Sequence, residues 1–291
     1  MRILIFGANG MLGHRLLMHL SPKYDVRATL RQSVNAYEGY DFFDEKNIYY
    51  DIDVRSVDHV ADVLNDFRPH AVVNAVGLVK QRDNAKEIIP NIEINALFPH
   101  KLAHACGEVG ARLLHMSTDC VFSGRRGNYK ESDIPDAVDL YGRTKLLGEV
   151  RYPNCLTLRS SIIGPELTQK NGLLEWFLSQ KGRVHGFKNA IFSGFTTMEM
   201  SRIIEMMIVH YPETNGLYHV SSNPISKYDL LVHIKSKLKH EIEVLPDDTF
   251  ICDRSLDSSR FRRSFGYEPP SWEMMIDELA GNYNELLKKK F

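Results

Sequence analysis

The run Gly7-Ala8-Asn9-Gly10-Met11-Leu12-Gly13, set directly behind the apolar stretch Ile3-Leu4-Ile5-Phe6, constrains this chain more than any other feature. Three glycines at three-residue spacing between a strand and a helix form a dinucleotide fingerprint. Gly7 permits the tight turn, Gly10 lets the backbone approach a pyrophosphate, and Gly13 lets helix and strand pack closely. Amides at the helix start then face the anion, so Asn9, Met11 and Leu12 belong to the same cradle.

The following segments continue the pattern. Short apolar runs near Arg2–Phe6, Tyr24–Leu30, Ile48–Asp51, Ala71–Ala75, Arg112–Met116 and Cys155–Leu158 alternate with stretches of helical period, as βαβ units do. A helix is expected over Met11–Leu20. A second should run from a Ser56 cap to Phe67, and a third over Asn91–Cys106. The stretch Gln32–Lys46 is polar and aromatic without a period and reads as a loop or surface excursion. Beyond Leu158 the alternation loosens around Gly164-Pro165, Gly182, Gly186 and Gly194, with helices near Thr197–His210, Ser226–Leu238 and Ser271–Lys289. The expected fold is α/β: a Rossmann doubly wound parallel sheet over residues 1–162 with a smaller mixed α/β C-terminal lobe over 163–291, segments crossing between the two.

Composition narrows the function. With 36 Lys+Arg against 37 Asp+Glu, there is no basic surplus to pair with nucleic acid. No apolar run approaches the roughly 18–20 residues of a membrane span, and Ile3–Phe6 is too short for a signal-peptide core. Cys106, Cys120, Cys155 and Cys252 lie far apart with no CxxC and no nearby His spacing, which reads as reduced thiols and no metal site. A cytoplasmic location is the expectation.

The end of the second strand selects between nicotinamide cofactors: an acidic residue binds the ribose hydroxyls of NAD, a basic one accommodates the phosphate of NADP. Arg27 and Arg31 stand there with no Asp or Glu, so NADPH is favoured through Arg31, with NADH left open. A solvated arginine at a strand end is the alternative.

Further blocks follow in order: Asp53-Val54 before a helix, Asn74-Ala75-Val76-Gly77, Ser117-Thr118-Asp119, Tyr141-Gly142-Arg143-Thr144-Lys145 and Gly148-Glu149. A lone YxxxK is weak, since 13 Tyr would give about one match by chance. In sequence with the other blocks it resembles the extended short-chain dehydrogenase/reductase family. The nearest likeness within it is to the sugar-nucleotide 4-ketoreductases of the dTDP-4-dehydrorhamnose reductase type. Their pattern is echoed by Ser117–Phe122, Gly127, Tyr129, Glu131, Asp133, Pro135 and Tyr141–Lys145, then by Gly194–Thr197, Gly216–His219 and Arg254–Arg260. Departures are Cys120 for the usual Tyr, Phe195 for a small residue, and Asp253-Arg254-Ser255 for Arg-Pro-x.

The resemblance implies NADPH-dependent reduction of a 4-keto-6-deoxy sugar nucleotide, in the supply of deoxysugars for surface polysaccharide. Tyr141 would donate the proton, Lys145 would lower the tyrosine's pKa and hold the nicotinamide ribose, and Thr118 would polarise the substrate oxygen. It places Asp53, Val54, Ala75, Val76, Gly77 and Asn95 at the cofactor, and Lys80, Asp119, Phe195 and Arg254 at the substrate. Asn95 is equally readable as a structural amide, and Lys80, Arg82 and Arg254 as solvated cations. Sugar-nucleotide dehydratases of the family carry Thr-Asp-Glu where this chain has Thr118-Asp119-Cys120, and a cysteine cannot replace that glutamate. The 4-epimerases differ at Asp119. A rival of another class is a non-catalytic NADP-binding subunit like the regulatory subunit of methionine adenosyltransferase, which would not need Tyr141 and Lys145. A homodimer is left open.

Overall fold

The computed structural model describes residues 1–79, 87–167 and 171–288. Seven strands form one sheet: β1 (Arg2–Phe6), β2 (Asp25–Thr29), β3 (Ile48–Tyr49), β4 (Ala71–Asn74), β5 (Arg112–Ser117), β6 (Cys155–Arg159) and, after the short β7 (Ile162–Ile163), β8 (Gly182–Phe187), β9 (Ala190–Phe192) and β10 (Phe195–Thr196), the edge strand β11 (Gly216–His219). Their order is β11-β6-β5-β4-β1-β2-β3, every pairing parallel. Such a sheet is covered on both faces, so its inner strands are apolar throughout. Successive side chains feed opposite cores. Ile3, Ile5, Val73 and Leu114 join one cluster, while Leu4, Phe6, Val72 and Leu113 join the other.

Helices α1 (Gly13–Leu20), α2 (Val57–Phe67), α3 (Ile88–Asn91), α4 (Phe98–Glu108), α5 (Leu140–Leu147) and α6 (Leu173–Ser179) lie within the first 180 residues. The Ser56 hydroxyl caps α2 by accepting from His59 N, as expected. The remaining elements are α7 (Thr197–Val209), β12 (Ile225–Ser226), α8 (Lys227–Leu238), β13 (Ile242–Asp247), β14 (Cys252–Asp253), α9 (Ser259–Phe265) and α10 (Trp272–Lys288). The chain returns to the large sheet after residue 163. Strand β11 pairs with β6, and α7 docks on α1, where Glu205 accepts from His19 at 2.6 Å and Tyr24 at 2.9 Å. Three smaller sheets, β10-β7, β12-β9-β14 and β13-β8, form the rest.

Two expectations change. The first helix begins at Gly13 rather than Met11, leaving residues 8–12 as a turn. The helix expected over Asn91–Cys106 extends from Ile88 to Glu108, interrupted by a π-helical turn at Ile92–Leu97. The turn turns Asn95 inward, where its amide brackets Leu78, accepting from the Leu78 N–H at 2.9 Å and donating to its carbonyl at 3.0 Å. Gln32–Lys46 is a mostly exposed loop, as expected, though one anchored by its rings. Val34–Tyr37 forms a 3-10 turn, Tyr37 and Phe43 are buried, and the Tyr40 hydroxyl donates to Leu167 O at 2.7 Å. Rings packed without a repeat leave no period to read.

Candidate active site

Parallel strands leave a crevice beyond their carboxyl ends where connections part to opposite faces. Here it is a cavity of about 410 Å³. One wall comes from the turn after β1 (Asn9–Leu12), the segment after β4 (Ala75–Gly77), the end of β5 (Met116–Cys120) and α5 (Tyr141, Lys145). The facing wall includes Ile191, Phe192, Lys227, Phe250, Cys252 and Arg254.

The turn after β1 requires glycine. Gly7 has φ of +90°, and a Cβ on Gly13 would lie 2.1 Å from Gly7 O. The His14 ring bonds Gly10 O at 2.8 Å, fixing the turn from the helix side.

Thr118, Asp119 and Lys145 are buried, and Tyr141 is half-buried. The Thr118 Oγ1 donates to Asp119 Oδ1 at 3.1 Å and accepts from Cys120 N at 3.1 Å, so Thr118 also caps its own turn. Asp139 caps α5 by accepting from Gly142 N at 2.9 Å, and the helix places Tyr141 and Lys145 one turn apart on one face. Burial holds the Tyr141 phenol above its ordinary pKa, with the Thr118 hydroxyl opposing. Burial pushes Lys145 down to about 8, with the Glu149 charge opposing. The Lys145 ammonium donates to Met116 O at 2.6 Å. Burial outweighs the Thr118 hydroxyl, so the phenol stands protonated.

The cavity gathers Asn9, Gly10, Met11, Leu12, Ala75, Val76, Gly77, Thr118, Asp119, Tyr141, Lys145 and Arg254 from the expected set. Others lie elsewhere. Arg31 is exposed at the end of β2. Asp53 is taken by Arg55 at 2.6 Å, and Val54 packs against the core on the Leu4 and Phe6 side. Asn95 sits behind the wall on Leu78. Phe195 is fully buried in the main core, ring to ring with Tyr267 at 6.1 Å, and does not line the cavity; Ile191 and Phe192 do so instead. Its strand pairs with β7, whose Ile162 and Ile163 line the cavity, so Phe195 stands one strand behind the wall. Lys80 and Arg82 fall outside the described residues.

Sequence reasoning missed Ser117, Glu166, Lys227, Phe250 and Cys252 at the cavity. It also gave no role to Glu149, whose carboxylate lies behind the wall. Arg254 donates from Nε to Phe122 O at 2.9 Å, which fixes its guanidinium near Cys120 and Asp119. Among the described residues all four cysteines are free, no group of three His, Cys, Asp or Glu side chains could hold a metal, and no helix is long and apolar enough to cross a membrane.

Residues 1–284 match the family model described as RmlD substrate binding domain. The dTDP-4-dehydrorhamnose reductase of Escherichia coli K12 is 32% identical over 313 residues, spanning 98% of this chain and 98% of that protein. Methionine adenosyltransferase 2 subunit beta of Bos taurus is 29% identical over 152 residues, 51% of this chain and 41% of that one. The crystal structure of dTDP-4-dehydrorhamnose reductase from Bacillus anthracis in complex with NADP superimposes with a TM-score of 0.79 at 24% identity, covering 97% of this chain and 99% of that one. Spanned almost end to end by the model and by a relative of the same length, the chain belongs to the RmlD substrate binding domain family.

Proposed function

We propose that this protein is an NADPH-dependent reductase of the 4-keto group of a 4-keto-6-deoxy sugar nucleotide, acting in the cytoplasm in deoxysugar supply for surface polysaccharide. The observation that carries the reading is the convergence of Thr118, Tyr141 and Lys145 with the glycine turn on one cavity wall. The turn fits a dinucleotide: it brings backbone, with no side chain between, to the cavity at Gly10. Asn9–Leu12, Ala75–Gly77 and Lys145 would hold the cofactor, with Arg31 near its extra phosphate. Bound there, a reduced nicotinamide supplies the hydride for C4.

The chain's own groups handle the proton and the developing charge. Tyr141, kept protonated by burial, donates its hydroxyl proton to the alkoxide oxygen. Thr118, turning its one hydroxyl proton from Asp119 to the same oxygen, polarises the carbonyl. Lys145, largely charged at neutral pH, steadies the phenolate left behind. Arg254 and Lys227 on the facing wall suit a diphosphate. Residues 1–162 would carry the cofactor and 163–291 the sugar nucleotide, with α7 and β11 returning to the first. Ile88, Ile89, Ile92 and Leu97, all exposed on the helix after β4, support self-association as a homodimer.

The test is loss of NADPH absorbance with a panel of dTDP- and UDP-linked 4-keto-6-deoxy sugars. Turnover of one member is expected. Silence across the panel despite NADPH binding would favour the second reading, a regulatory subunit like the methionine adenosyltransferase relative, which matches half of this chain.

A further inference from the structure

Behind the sheet-side wall lies a pair of charges that the mechanism above does not use. Arg159, at the end of β6, is wholly buried, and the Glu149 side chain is 3% exposed. Glu149 Oε1 accepts from Arg159 Nε at 2.6 Å and Oε2 accepts from Arg159 Nη2 at 2.7 Å. Glu149 Oε1 also accepts from the Ser117 hydroxyl at 2.8 Å. Taking both ions out of water is expensive, and well-packed apolar side chains often serve stability as well. A reason other than stability is needed.

The register supplies one. Ser117, Arg159 and His219 are aligned across β5, β6 and β11. Arg159 Nη1 donates to His219 Nε2 at 3.1 Å, and the opposite ring nitrogen of His219 donates to Tyr129 O at 2.9 Å. At the other end, α5 and the residue just beyond it grip two consecutive residues of β5. Lys145 donates to the Met116 carbonyl at 2.6 Å, and Glu149 holds the Ser117 hydroxyl. Thr118 is the next residue.

We infer that Glu149, locked by Arg159, is a positioning residue for the proposed reduction: it fixes the strand end that aims Thr118 and sets its carboxylate four residues on from the Lys145 ammonium that grips the preceding strand residue. The inference rests on the reductase reading for its catalytic consequence, though not for the state of Lys145. Several groups surround that ammonium. Tyr141 lies one turn back on α5, with Asp119 and Cys120 beside its phenol, and Arg159 and, at 3.8 Å, Arg151 lie beyond Glu149. His115 comes from β5, with His100 of α4 near it. His115 is driven far below its ordinary range by burial and is neutral, and Tyr141 is protonated. Glu149 is the carboxylate whose charge opposes the burial of Lys145.

The test uses Glu149→Gln and, because that variant strands Arg159, the paired variant Glu149→Gln with Arg159→Met. Competitive acetylation of Lys145, read by mass spectrometry from about pH 6 to 10, reports its deprotonation without any substrate. The midpoint should fall by about one pH unit in folded Glu149→Gln, where Arg159 stays charged, and by less in the paired variant, where a positive charge leaves with the negative one. With an active sugar nucleotide, kcat should fall about tenfold at neutral pH with KM nearly unchanged. Glu149→Asp, which keeps the charge, should restore most of the midpoint. Ser117→Ala removes no charge and should lower kcat several-fold while leaving the midpoint alone. A wild-type Lys145 midpoint in folded Glu149→Gln overturns the electrostatic role, and full kcat in Ser117→Ala overturns the positioning role. A silent substrate panel together with a shifted midpoint would count against the reductase reading and leave the Glu149 effect on Lys145 standing.

Discussion

The sheet-side wall takes its polar residues from the ends of long parallel strands and the helices that follow them. The facing wall takes Ile191, Phe192 and Cys252 from strands of three and two residues, and Phe250 and Arg254 from the segments beside them. The first wall is backed by two cores and a buried ion pair, whereas the second carries a half-exposed ring, Phe250, against Phe187 at 5.1 Å. Reaction chemistry needs atoms held to fractions of an ångström, and recognition of a large ligand tolerates more play. The difference teaches that changes to the first wall should remove turnover or folding outright, while changes to the second should grade affinity.

The largest effect is expected at the glycine turn. Gly13→Val places its Cβ where Gly7 O already lies 2.1 Å away, so either the turn or α1 must move. NADPH affinity, followed by fluorescence titration, should drop by about a thousandfold or more, or the protein should fail to fold. Near-normal binding would show that the turn does not carry the cofactor.

Acid should break the same wall next. Burial and then the Arg159 charge depress the His219 pKa to about 4, and burial drives His115 well below 6.5. In the unfolded chain both imidazoles bind protons below about pH 6.5, while in the folded protein they do not. Their stability contribution is therefore complete above that pH and is lost as pH falls towards 4. Each histidine adds a slope of about 1.4 kcal/mol per pH unit, so His219 alone costs about 3 kcal/mol over the window. Denaturant melts at several pH values measure the slope, which should shrink in His219→Gln. An unchanged slope in that variant would assign the acid sensitivity to other groups.

Tyr141→Phe comes third. It keeps the ring and its packing and removes the proton, so kcat should fall by about two orders of magnitude while NADPH affinity stays within a few-fold. NADPH oxidation on the active sugar nucleotide measures the first and fluorescence titration the second. Full turnover would remove Tyr141 from the mechanism.

The same contrast explains what could be read in the sequence. A glycine turn behind an apolar strand, and a Tyr and Lys four residues apart, are local patterns with one geometric meaning each, and Gly7, Gly10, Gly13, Tyr141 and Lys145 stand where those patterns place them. Glu149 and Arg159 needed the register of β5, β6 and β11, which no local pattern carries. Phe195 shows the converse failure. It sits near the cavity in sequence, three residues from Phe192, yet its two-residue strand lies behind the cavity-lining β7, and in so short a strand no alternation can show which side faces inward. The π turn at Asn95 is likewise set by the backbone of Leu78, a long-range demand invisible to helical period.

The smallest effect tests the facing wall. Phe250 is 50% exposed, lines the cavity and leans on Phe187, an arrangement that offers one aromatic face to a ligand. A stacked ring contributes about 0.5–1.5 kcal/mol beyond simple burial, so Phe250→Ser should raise KM for the sugar nucleotide by about two- to tenfold. Its distance in function from Tyr141 should leave kcat within about threefold, because the lost contact is made equally in the ground state and the transition state. The fall of kcat with KM, measured on the same NADPH assay, would mean that the facing wall also aligns the reacting carbon. In that case the division between a reacting wall and a recognising wall would have to be replaced by closure of the two walls as one catalytic unit.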